Sequence, residues 1–81
     1  MTLREMYEGK DLLRVRRNLS EEEARNRLRK FYPVSEVDVI LTNAKAFDVW
    51  VDSELKVAVV YLHYSEKYII IATGERYDLI E

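Results

Sequence analysis

Eighty-one residues, 48% hydrophobic and 35% charged with a net charge of −2, point to a single small domain spanning 1–81. Its core must be modest, since a chain this short buries only about 60% of the surface its unfolded form exposes. With no cysteine and one histidine, His63, the chain lacks the means for a disulfide framework, a thiolate metal site, a Cys nucleophile or a His-based metal centre, and no cofactor is expected. The opening stretch mixes charge into every turn, unlike a signal peptide, and no run approaches the ~18 apolar residues of a membrane span. A cytoplasmic protein without membrane contact is the expectation. Abundant charge with no glutamine also suggests a thermophilic source.

In chain order, Thr2 and Glu5 stand as a capping box and Gly9 as a stop, suggesting a short helix over 2–9. Residues 11–18 read as a strand, with Leu13 and Val15 facing one way and Arg14 and Arg16 the other. In "NLSEEEARNRLRKFYP", Ser20 and Glu23 form a second capping box, acidic residues fill the first turn, and Arg29 and Lys30 sit in the last. Ala24, Leu28 and Phe31 form one apolar stripe, and Pro33 prevents continuation, which predicts a helix over 21–32.

From Val34 the apolar period falls to two. Val37, Val39 and Leu41 alternate with Glu36, Asp38 and Ile40; Phe47, Val49 and Val51 alternate with Asp48, Trp50 and Asp52; further strands are expected at 55–64, 67–73 and 76–80. The spacers Asn43-Ala44, Asp52-Ser53-Glu54, Ser65-Glu66 and Thr73-Gly74 are short enough to force antiparallel hairpins. The expected fold is α+β: an N-terminal strand and one main α-helix (about 21–32) packed on a five-strand antiparallel β-meander.

A two-residue loop at Ser65-Glu66 sets Tyr61 opposite Ile70 and Val59 opposite Ala72. Val37, Val39, Leu41, Phe47, Val49, Val51, Val57, Val59, Tyr61, Ile70 and Leu79 then share a face that should receive the helix. The second face is acidic on one side, with Glu36, Asp38, Asp48, Asp52 and Lys56, and apolar on the other. That apolar part, Val60, Leu62, Ile69, Ile71 and Ile80 with Trp50 and Ile40 near the boundary, is larger than soluble monomers usually leave open. Three things could cover it: the N-terminal segment through Leu3, Met6, Tyr7 and Leu12, a second copy, or a partner protein.

Candidate chemistry is sparse. His63 has no nucleophile and orienting acid in an arrangement the sequence makes visible, so no enzymatic role is expected. The carboxylates read as a solvated face, because regular strands hold them too far apart to converge on an ion. The arginine-rich stretch is more distinctive: Arg14, Arg16, Arg17, Arg25, Arg29 and Lys30 could neutralise phosphates, although Glu21 and Glu23 are placed to pair within the helix. Residues 1–32 hold nine Lys or Arg against six Asp or Glu, whereas 33–81 hold four against nine. The expectation is a non-enzymatic binding or regulatory module, either a homodimer or bound to a partner protein through Trp50, Val60, Leu62, Tyr64, Ile69 and Ile71. The alternative is nucleic-acid binding by the basic segment 14–30.

Overall fold

The computed structural model describes residues 13–73; the helix expected over 2–9, the cover expected from Leu3, Met6, Tyr7 and Leu12, Gly74 of the expected Thr73-Gly74 turn, the strand expected at 76–80, and Leu79 and Ile80 lie outside them. The described elements are β1 (Leu13–Leu19), α1 (Glu21–Leu28), α2 (Val34–Phe47), β2 (Val49–Asp52), β3 (Val57–Leu62) and β4 (Lys67–Thr73). The strands form one sheet in the order β1-β4-β3-β2. Every neighbouring pair is antiparallel. The class is α+β as expected, but among the described residues there are two helices and four strands.

The largest correction falls on residues 34–47, read as strand and turn, which are helical. Val37, Ile40, Leu41 and Ala44 are the buried residues of α2. They stand at i, i+3, i+4 and i+7, the stripe of a helix lying on a core. Val39 completed the apparent alternation, yet it is 57% exposed. Pro33 stops one helix and starts the next: its carbonyl accepts the N–H groups of Glu36 at 2.9 Å and Val37 at 3.0 Å. Proline is tolerated at this N-cap, which is extended, because a residue ahead of the first helical turn needs no N–H of its own.

α1 is shorter than expected. Arg29 caps it, and the N–H groups of Phe31 and Tyr32 both bond to the Leu28 carbonyl. A residue before proline is disfavoured in the helical region, so the chain turns there and carries Tyr32 into the core. The N-terminal capping box is present: Ser20 Oγ accepts from the Glu23 amide at 3.1 Å, and Glu23 Oε1 accepts from the Ser20 amide at 3.2 Å. These bonds, the backbone one foremost, hold the Glu23 carboxyl below its ordinary value. The folded state therefore favours the charged form, and this contribution is fully present above the usual glutamate range and lost as pH falls through the depressed value. Thermal melts from about pH 7 down to about pH 2 should show a smaller acid loss of stability in Glu23→Gln than in the parent. Equal losses would remove Glu23 from the acid limb.

The core lies between the helices and one sheet face. Leu19, Ala24, Leu28, Tyr32, Val37, Ile40, Leu41 and Ala44 meet Val57, Val59, Tyr61, Tyr68, Ile70 and Ala72. Leu19 reaches this face through a bulge. Arg16 is opposite Ile70 and Leu19 opposite Tyr68, so β1 carries one extra residue there. Asn18 supplies the required positive φ of 57°, a conformation asparagine tolerates better than most residues.

Candidate functional site

The sheet face away from the helices carries an aliphatic ladder. Val49 stands opposite Val60, and Val60 opposite Ile69. Ala58 stands opposite Val51 and Ile71, and Ile71 opposite Val15. Leu62 pairs with Lys67 at one end. Val60, Leu62, Ile69 and Ile71 are half-buried, and Val15 is exposed. The residues are β-branched or aliphatic because a pleated, half-buried surface favours them.

Of the six residues expected to form a contact surface, four share this face: Val60, Leu62, Ile69 and Ile71. Tyr64 is in the turn between β3 and β4 and is 86% exposed. Trp50 faces the other way, opposite Val59, with its ring edge-on to Tyr32 at 5.7 Å. The register explains both outcomes. The β3–β4 loop has four residues rather than two, a slip of two positions that leaves every face unchanged. The β2–β3 loop also has four residues where three were expected and lies further along the chain, so Val49 faces Val60 instead of Val57, an odd slip that inverts β2. Val49 and Val51 consequently join the second face, while Trp50 and Asp52 turn toward the helices. Phe47, placed in the expected core, ends α2 and is 71% exposed.

The carboxylates are distributed among separate partners. Asp38 pairs with Arg25 across the helices. Asp52 Oδ2 accepts from the Tyr32 hydroxyl at 2.7 Å, and its Oδ1 accepts the N–H groups of Glu54 and Leu55. Asp48, in the left-handed region with φ of 72°, lies 2.5 Å from His63 Nε2. Both partners of that pair are mostly exposed, and the Tyr61 ring meets His63 edge-on at 4.8 Å. Among the described residues no three His, Cys, Asp or Glu gather into a metal-holding group.

The basic residues divide likewise. Arg14, Arg16 and Arg17 are exposed along β1, Arg25 is engaged by Asp38, and Arg29 and Lys30 stand exposed after α1. Two grooves accompany the helices. One, of about 460 Å³, runs between α1 and α2 and holds Glu21, Arg25, Asp38 and Lys45. The other, of about 380 Å³, lies between α2 and the edge strand β2 and is lined by Ser35, Glu36, Val39, Ile40 and Trp50. Burial pushes the Tyr68 hydroxyl up from its ordinary pKa, with Glu21 adding to the shift.

Among the described residues no helix is long and apolar enough to cross a membrane. Compared with family models, curated proteins and solved structures, the chain matches none.

Proposed function

We propose that this chain is a non-enzymatic protein-binding module whose second sheet face takes up another copy of itself, sheet against sheet. The observation that supports this is the aliphatic ladder running across all four strands, from Val15 through Ile71, Ile69 and Val60 to Val49. Its charged side chains stand at the margin: Lys67 at the end of β4, and Arg17 beside the bulge of the edge strand β1. Such a face spans on the order of several hundred Å², an extent that in soluble proteins usually marks a contact surface. A face whose centre is aliphatic, with its charges only at the margin, is complementary to itself, which suits a two-fold dimer in which the same residues meet from both sides.

Leu62→Asp tests this. A charge at the rim of the ladder is expected to leave a folded protein whose solution mass, by light scattering at micromolar concentration, falls from dimer to monomer. A folded variant that keeps the dimer mass would place the contact elsewhere. An unfolded product would show that the face is internal core. If the parent is already a monomer, self-association through this face is excluded and a different protein becomes the occupant to seek.

A further inference from the structure

The sheet has two edge strands among those described, and they carry opposite charge. β1 bears Arg14, Arg16 and Arg17, all exposed, and no carboxylate. β2 begins after Asp48 and ends on Asp52, Glu54 follows in the turn, and Glu36 lines the groove beside Trp50. We infer that copies of this chain associate head to tail, the β1 edge of one adding to the β2 edge of the next, so that the sheet continues from copy to copy. This is separate from the face-to-face contact proposed above: it uses the backbone edges of the sheet, and only the edge valines Val15 and Val51 also border the face.

Three features support it. The four strands alternate in direction, so β1 and β2 run oppositely. A second copy set alongside in the same orientation therefore presents its β1 antiparallel to β2, continuing the pattern already in the sheet. The faces also match. Arg14 and Arg16 stand opposite Ala72 and Ile70, on the helix side, where Trp50 and Asp52 also lie. Setting Arg16 opposite Trp50 puts Arg14 opposite Asp52 and Val15 opposite Val51. Guanidinium over indole, guanidinium beside carboxylate and valine against valine are all favourable cross-strand pairs. The groove holding Glu36 and Val39 beside Trp50 can take the arginine's apolar stem and its charge.

The third feature is selection among pairings. β1 against another β1 would set arginines opposite arginines, and β2 against β2 would set aspartates together; like charges directly opposite are destabilising. Edge charges of one sign block self-pairing of each edge, and here the two signs leave the mixed pairing open. β2 has four residues, so the junction is small, concentration-dependent and weakened by salt.

The chain has no cysteine, which permits a clean cross-linking test. Val15→Cys and Val51→Cys are prepared separately, and also combined in one chain, then oxidised. The edges stand three strand spacings apart, roughly 14 Å, so the combined variant cannot close on itself. The expected result is a disulfide-linked pair only when the single variants are mixed, and a ladder of multiples from the combined variant. Adding Leu62→Asp should leave the ladder intact, which separates this contact from the sheet-face dimer. Adding Arg14→Glu and Arg16→Glu should abolish it while circular dichroism shows an unchanged fold. Cross-linking of Val15→Cys with itself that persists when Leu62→Asp is added, a ladder that survives the charge reversal, or no ladder at all would overturn the inference. If no ladder forms and the same reversal removes a salt-dependent shift on single-stranded RNA, the arginines of β1 serve nucleic acid instead.

Discussion

Leu28→Ala is expected to lower the midpoint of thermal unfolding by at least about 8 °C, taking about 4–8 °C per kcal/mol for a domain of this size. Leu28 and Ala24 are the two buried residues of α1, and both are fully enclosed. The helix is thus attached to the sheet chiefly through one large side chain. Removing a buried leucine to alanine costs about 2–5 kcal/mol, the upper part of that range applying where neighbours cannot close the gap. Here the gap would open between α1, α2 and β4, whose backbones are held by helical and ladder hydrogen bonds. Alanine is as good a helix former as leucine, so the loss would be one of packing. A domain of this length holds roughly 4–12 kcal/mol in total, and a change of less than 1 kcal/mol by denaturant titration would show that α1 does not depend on this contact.

Asp52→Ala is expected to cost about 2–3 kcal/mol. One carboxylate oxygen closes the β2–β3 turn through the Glu54 and Leu55 amides, while the other accepts the Tyr32 hydroxyl from the α1–α2 connection. The side chain therefore ties a hairpin to the helical layer, and its removal leaves a hydroxyl of a buried tyrosine without its acceptor. Asp52→Asn keeps an oxygen for the turn and an amide that can bond the tyrosine oxygen, so it should recover most of the loss. Tyr32→Phe removes only the interlayer bond and should cost about 1 kcal/mol. If alanine and asparagine are equally destabilising, the carboxylate charge matters and the hydrogen-bond geometry does not.

The parts of the fold legible in the sequence are those whose signals are local. The Ser20–Glu23 box marks the start of α1 because both hydrogen bonds close within one turn. β4 spans Lys67–Thr73 as expected, since five β-branched or aromatic residues in seven leave little else. Residues 34–47 were equivocal. Val37, Ile40, Leu41 and Ala44 carry a helical stripe, but Val39 and four other β-branched residues imitate alternation, and Asn43-Ala44 resembles a turn only if the helix is overlooked. Ala44 and Ala46, strong helix formers, and Pro33 as a starter were the signals that could have settled it.

Of the second sheet face, the β3 and β4 contributions were visible because a two-residue slip in their hairpin preserves alternation. The contribution of β2 was not, because an odd slip in its register exchanges Trp50 for Val49 and Val51. The acidic character of the β2 edge and the basic character of β1 were both present as charge division along the chain. Their placement on opposite edges depended on β1 pairing with β4.

By itself, the sequence determined the class, the antiparallel hairpins β2–β3 and β3–β4, the start of the first helix and the presence of a second apolar sheet face, all set by capping, period and short spacers. Only the tertiary structure decided that 34–47 is helical, that β1 lies outside β4, and which way β2 faces. Each of these rests on long-range pairing: a stripe of four apolar residues needs a sheet to bury it, and a strand's face is defined only by the neighbour that fixes its register.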